Sequence, residues 1–412
     1  MAAAQAAGVE IGVTGLGLVT PAGIGREENW ARVCSGVSTA AADESLAGEA
    51  IEFSCRVPGF DPAAELGPES VWRLDRFVQL AMVATRKAIA DSALDKSTWD
   101  SARVGVILGN SLGGTATFEA QHKRFIAGGA RRVSPLLIPM SMMNMVAGYV
   151  AIDIGAKGPN LVTATACASG ATAIGAARDL LRSGVVDIVL TGATESALSG
   201  AVLAGLSQMG ALSKRKDDPG AASRPFDVDR DGFVPGEGAA VLVLERVSDA
   251  KARGADVFAK ISGYAASADA YHATAPDPTG AGAERAIRAA LSDAGLAPGD
   301  IDHVNAHGTS TPQGDVAEAR ALRRVFGEGP AVTSTKGVTG HTLGAAGAIE
   351  AAYTVLAVRE GAAPPTANLG KVDSEVGLDV VAGEARRMPI KAATSNSFGF
   401  GGHNAVLVVT AA

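Results

Sequence analysis

Three cysteines and six histidines supply most of the nucleophilic and proton-handling groups of this 412-residue chain. Cys167 follows the β-branched run NLVTATA (160–166) and precedes SGATAIGAARDLLRSG, whose spacing predicts a helix. The thiol is therefore expected at or just before a helix N-terminus, where unpaired N–H groups and the helix dipole favour a thiolate. Ala166, Ala168 and Gly170 leave room for a substrate to approach. Strand–turn–helix junctions are a recurrent seat for nucleophiles. A lone cysteine is otherwise a small buried hydrophobe, and Cys34 and Cys55, which lack this context, are read that way.

His307 ends IDHVNAH and enters GTSTPQGD, and His341 lies in KGVTGHTLGAAG just before a helical stretch. Strand ends and helix starts on one side of an α/β sheet converge, so Cys167, His307 and His341 are expected to face one cavity. A thiolate that attacks and imidazoles that donate to a developing oxyanion together perform acyl chemistry. Two metal signatures compete. His303 and His307 have zinc-like spacing but fall on a strand, where positions i and i+4 lie too far apart to share an ion. DVDRDGFVPGEG (227–238) opens like a calcium loop, yet Gly238 stands where a bidentate Glu belongs, so it reads as a structured turn. SNSFGFGGHNA (395–405) sets glycines around Phe398 and Phe400 and lacks any phosphate-loop spacing. Such a segment suits a backbone that moves or donates N–H groups to a substrate oxygen, or a tight turn before a strand.

The elements that must position these residues alternate as in α/β proteins. Strands are predicted over 9–16, 102–109, 160–166, 186–192, 238–245, 301–308, 331–335 and 404–410, and helices over 75–91, 169–183, 283–295, 315–326 and 344–360. The order of strand, Gly/Ser/Thr-rich turn, strand, small-residue helix and apolar strand occurs twice, which points to an internal duplication with a break near 250–262. The expected halves are 1–260, with Cys167, and 261–412, with His307, His341 and the Phe400 loop. Ala171, Gly175 and Ala176 in one central helix, and Gly344, Ala348 and Ala352 in the other, would let the two approach closely, with the active site where the halves meet.

Composition narrows the class. With 47% hydrophobic and 19% charged residues the chain is globular, and a net charge of −7 gives no reason to expect nucleic acid or an anionic membrane. Lys214–Lys216 and the looser set Lys123, Arg124, Arg131 and Arg132 read as solvated surface, without excluding an acidic protein partner. Dispersed cysteines fit a reducing cytoplasm, the opening MAAAQAAGVEIGVTG lacks the layout of a secretory signal, and no apolar run approaches a membrane span.

Taken together, TACASGATAIG, NAHGTSTPQGD, KGVTGHTLGAAG and SNSFGFGGHN, with FDVDRDGFVPGEGA and ADAYHATAPDP, resemble the elongating β-ketoacyl-acyl-carrier-protein synthases over nearly the whole chain. The resemblance implies the thiolase fold, a duplicated five-layer αβαβα architecture working as a dimer. It implies that Cys167 takes an acyl chain from the phosphopantetheine arm of an acyl carrier protein, and that His307 and His341 assist decarboxylation of malonyl-carrier protein. It assigns the oxyanion hole to the N–H groups of Cys167 and Phe400, with Phe400 also a gate beside Phe398. It gives Lys336 and Glu350 a supporting place behind the histidines, Thr309, Thr311 and Thr274 contact with the pantetheine arm, and Leu112 and Leu137 the acyl tunnel, Leu137 reaching across the dimer. No metal or organic cofactor is implied. A degradative thiolase would need a second cysteine after Cys167, an initiating synthase an Asn at position 341, and a non-catalytic chain-length subunit would lack Cys167. The ketosynthase subunit of a type II polyketide synthase, paired with a chain-length factor, would carry the same residues and stays open.

Overall fold

The computed structural model describes residues 8–412 and carries one five-strand pattern twice. In the first half, β1 (Ile11–Thr20), β2 (Val104–Gly109), β3 (Asn160–Thr163), β4 (Ile188–Glu195) and β5 (Gly238–Arg246) lie in the order β3-β2-β4-β5-β1. In the second, β6 (Ala259–Ala268), β7 (His303–Asn305), β8 (Ala331–Thr333), β9 (Ala392–Gly399) and β10 (His403–Thr410) lie in the order β8-β7-β9-β10-β6. In both, the second strand runs parallel to the third and fourth, and the remaining neighbours are antiparallel. The sheets join where β1 meets β6, through Gly12–Lys260 and Val13–Ala259 alone. A division at 260/261 thus falls inside β6.

Of the helices among the described residues, those that bear on the frame and the site are α1 (Arg76–Asp91), α2 (Thr115–Gly128), α3 (Leu137–Ser141), α4 (Met145–Ile154), α5 (Ser169–Arg182), α6 (Gly200–Gln208), α7 (Ala281–Ala294), α8 (Pro312–Phe326) and α9 (Ala346–Glu360). Helices α1 and α4 cover the outer face of the first sheet, α7 and α8 that of the second, and α5 and α9 lie between the sheets, which makes the five-layer αβαβα thiolase arrangement. Strand residues alternate accordingly. Val104, Val106 and Leu108 face α1 and α4 while Ile107 faces the central layer; Ala405, Leu407 and Val409 face the centre while Val406 and Val408 face α7 and α8.

The central helices explain why both are built from small residues. Every residue of α9 from Ala346 to Val358 is buried, so this helix needs no polar face. It crosses α5 at Gly170, where a Cβ would stand 2.4 Å from the Ala348 N, and at Gly347, where one would stand 2.8 Å from the Ala171 N. Of the other small residues expected at this crossing, Gly175 instead makes room for the Tyr264 ring and Gly344 for Glu195. Arg178 on α5 reaches into the other half, where its guanidinium donates to the carbonyls of Ile261 (3.0 Å) and Ser262 (2.9 Å) on β6.

Two strands carry no clear signal in the sequence. β6 is mostly Ala, Gly and Ser, and β9 is polar, with Thr394, Ser395, Asn396 and Ser397 all buried. Helices α2, α4 and α6 were likewise not expected. Predicted strands 301–308 and 331–335 shorten to three residues each, because the chain leaves the sheet to build the site. The 344–360 helix starts at Ala346, after a 3-10 turn, and the 315–326 helix starts at Pro312, where proline suits the first turn. No helix among the described residues is long and apolar enough to cross a membrane. The opening segment examined for a secretory signal lies partly outside the described residues.

Candidate active site

Cys167 owes its position to a backbone turn. β3 stops at Thr163, and Ala166 enters the left-handed region at φ 50°, so that Ala166–Ala168 forms a 3-10 turn leading into α5. Such a conformation costs an alanine on the order of 1–3 kcal/mol. Ser169 offsets it by accepting from the Thr165 N–H (2.9 Å) and donating to the Ala166 carbonyl (2.7 Å). The second half repeats the device. Leu343 takes φ 49° and opens the turn Leu343–Ala345 at the head of α9.

His341 sits just before that turn. Its N–H donates to the Val234 carbonyl (2.8 Å) and its carbonyl accepts from the Gly236 N–H (3.0 Å). The Phe233 ring meets its imidazole edge-on at 5.0 Å. These contacts aim Nε2 at the Cys167 Sγ, 3.1 Å away. His307 follows β7 and is fixed through its backbone, since its own N–H and that of Gly308 each donate to the Glu318 carboxylate at 2.8 Å. Its ring stands nearly perpendicular to that of His341, 5.4 Å between centroids, and edge-on to Phe398 at 5.9 Å. Behind it, Lys336 Nζ donates to the His307 carbonyl (2.5 Å), lies 3.4 Å from its Nδ1 and is ion-paired with Glu350. The backbone N–H of Phe400 acts on the Cys167 thiol from the loop that follows β9, drawing its pKa down.

The electrostatics follow from burial. Burial, with the Lys336 charge, holds the His307 and His341 pKa values well below the ordinary imidazole value, so both rings are neutral. Burial also pushes the Cys167 thiol up to about 12, against the opposing pull of Lys336 and the Phe400 N–H. The resting group is therefore a thiol. The helix-terminus argument, which favours thiolate, is outweighed by removal of the side chain from water. Burial raises Glu350 to about 7, with Lys336 drawing it down.

A cavity of about 810 Å³ opens onto this cluster. Cys167, His307, His341, Phe398, Phe400, Thr274, Thr309, Thr311 and Leu112 all line it. Lys336 and Glu350 stand behind the lining. Leu137, on α3, does not line the cavity of its own chain. Sulfur and ring nitrogens of Cys167, His307 and His341 lie within 4.8 Å of one another. His303 does not join them, because its Nε2 is hydrogen-bonded to Thr333 on the neighbouring strand. In the calcium-like turn, Asp227 accepts from the N–H groups of Asp229, Gly370 and Lys371, and Asp231 from Ser213 and Lys214.

Three contributors went unread in the sequence. Glu318 grips the His307 backbone, Phe233 braces His341, and Asn404 ties the Phe400 loop to Asp269 at 2.7 Å. Glu318 left one signal, a carboxylate among Val316, Ala317 and Ala319 on a helix face that turns out to be buried.

Residues 9–250 match the family pattern described as Beta-ketoacyl synthase, N-terminal domain, and residues 258–370 its C-terminal domain. The chain is a member of the β-ketoacyl synthase family. It is 43% identical over 407 residues to 3-oxoacyl-[acyl-carrier-protein] synthase 2 of Staphylococcus aureus, covering 97% of this chain and 98% of that protein. Among solved structures it resembles the ishigamide ketosynthase/chain length factor, with a TM-score of 0.93, 32% identity and coverage of 98% and 99%. It also resembles a type II polyketide ketosynthase bound to the hexaketide and in complex with its acyl-carrier protein, with a TM-score of 0.91, 32% identity and the same coverage.

Proposed function

We propose that this chain is an elongating β-ketoacyl-acyl-carrier-protein synthase of fatty-acid type. The observation that carries the reading is the His341 Nε2–Cys167 Sγ contact at 3.1 Å, with His307 in the same cluster. In the first step Sγ attacks the thioester carbonyl of an acyl-carrier protein, its proton passes to the leaving pantetheine sulfur, and the acyl chain becomes a thioester of Cys167. The N–H groups of Cys167 and Phe400 support the oxyanion of that step. In the second, malonyl-carrier protein loses carbon dioxide while the neutral imidazoles of His307 and His341 donate to its thioester carbonyl, so the electron pair is held as an enolate. The enolate carbon then attacks the Cys167 thioester. A carbon–carbon bond forms, the carbon–sulfur bond breaks, and the chain leaves two carbons longer.

Thr309 and Thr311, whose hydroxyls lie 2.9 Å apart, line the cavity with Thr274, and that position supports their contact with the pantetheine arm. The reaction calls for no metal and no organic cofactor, since the Lys336 charge behind His307 and the N–H donors supply the electrostatics. We further assign the chain to the cytoplasm and to a homodimer, with Leu137 reaching the partner's acyl tunnel. A second reading is kept open by the likeness to polyketide ketosynthases: a catalytic subunit paired with a chain-length factor. Incubating the purified chain alone with acyl- and malonyl-carrier protein tests both. The fatty-acid reading expects condensation of saturated chains, abolished together with acyl loading in Cys167→Ala. Loading that survives in Cys167→Ala overturns the nucleophile, and condensation that needs an added partner overturns the homodimer.

A further inference from the structure

The duplicated frame contains a second elbow. The turn Leu343–Ala345 before α9 corresponds to Ala166–Ala168 before α5, which sets Gly344 opposite Cys167. Likewise β4 and β9 end on Glu195 and Gly399, each paired with the first residue of the next strand, Gly238 and His403. The two seats are filled in reverse. At the active site the elbow carries Cys167 and the strand end is Gly399, where a Cβ would stand 3.0 Å from the Cys167 N. At the other, the elbow is Gly344, where a Cβ would stand 2.6 Å from Glu195 Oε2, and the strand end carries a carboxylate.

Glu195 is fully buried and the reaction does not use it. Its partners all belong to the turn after β2. Oε2 accepts from the Ser111 N–H (2.8 Å) and from the Ser111 hydroxyl, and Oε1 accepts from Asn110 Nδ2 (3.1 Å). Asn110 closes the same turn by accepting from the Gly113 N–H (2.7 Å). Ser111 and Leu112 line the cavity, as does Leu343 from the mated elbow. Three donors from Asn110 and Ser111 on one carboxylate fix the turn that carries Leu112 opposite Leu343.

We infer that Glu195 is a positioning residue for acyl-chain selection, holding the Ser111–Leu112 turn as a fixed wall of the cavity that receives the chain. The inference rests on Leu112 facing that chain. Glu195→Gln keeps the shape but places an NH₂ against one of the N–H donors, which releases the turn. Loading and condensation are measured with acyl-carrier proteins of increasing chain length. The expected result is a shift of at least about tenfold in the ratio of kcat/KM for long over short chains, toward long, while malonyl decarboxylation on unloaded enzyme is unchanged; such a ratio is about 1.4 kcal/mol of differential binding. A uniform loss at every length, accompanied by a lowered Tm, assigns Glu195 to structure alone and overturns the inference. If Glu195→Gln does not fold, Ser111→Ala removes one donor only and must move the ratio the same way by a smaller factor; no movement overturns the inference. Leu112→Phe separates the premise from the conclusion. If it leaves the length profile untouched, the premise on Leu112 fails. If it shifts the profile and Glu195→Gln does not, the role of Glu195 fails.

Discussion

At the residue scale the chemistry divides between a stored thiol and two imidazoles that stay neutral. An ordinary histidine gains its proton near pH 6.5, so a solvated pair would lose its neutral form as pH falls through that value. Here burial and Lys336 hold both pKa values far lower, and the neutral form persists below it. Malonyl decarboxylation, followed by carbon dioxide release, is accordingly expected to stay flat from about pH 8 to about pH 6; a loss centred near 6.5 would contradict this. Lys336→Met removes a charge that opposes imidazolium, so the acid loss should move to higher pH. In His341→Ala, intact-protein mass spectrometry should still find acyl groups on Cys167 while carbon dioxide release disappears. The clustering of Cys167, His307 and His341 was legible because reactive side chains stand out among Ala, Gly and Thr. Glu318 and Asn404 were not, because they act on backbone and loop rather than on the reacting atoms; the small apolar neighbours of Glu318 hint at burial but not at a role.

At the element scale the site depends on how closely two helices approach. Gly170 lies three residues after Cys167, and α9 begins five residues after His341, so the α5–α9 crossing sets the distance between sulfur and imidazole. Gly170→Ala forces a methyl against the Ala348 backbone. It should destabilise the fold by about 1–3 kcal/mol in denaturant titration and also slow acyl loading of the folded fraction. Normal loading in the folded protein would show that the spacing is set elsewhere. The central helices could be read from their small residues, but the partners of each glycine could not, because Gly175 and Gly344 face Tyr264 and Glu195 across the tertiary structure. β9 escaped notice for a related reason. A strand that floors a reaction site buries hydroxyls and amides where pattern rules expect aliphatic side chains.

At the scale of the whole molecule, β3 ends the sheet with one edge unpaired among the described residues. Leu161 on that strand is 52% exposed and Ile152 on α4 is 77% exposed, with Phe118 and Ile138 also open to solvent. An apolar edge of this kind invites a second chain. If the proposed homodimer uses this edge, Leu161→Arg leaves monomers in sedimentation experiments; a dimer unchanged by the substitution would place the interface elsewhere. The duplication was legible because both halves repeat the same order of elements, whereas the narrow junction between β1 and β6 was not, since neither strand's partner is written in its own pattern. That junction has a consequence for how the chain comes together. Only two residue pairs stitch the sheets, yet α5 donates hydrogen bonds into β6 and α9 packs on strands of both halves. Each half thus completes the interior of the other, like two clasped hands. Cutting the chain between Gly254 and Ala255 should leave fragments that are insoluble when made singly and that restore acyl loading when made together, so the polypeptide is covalently one but behaves in assembly as an obligate pair.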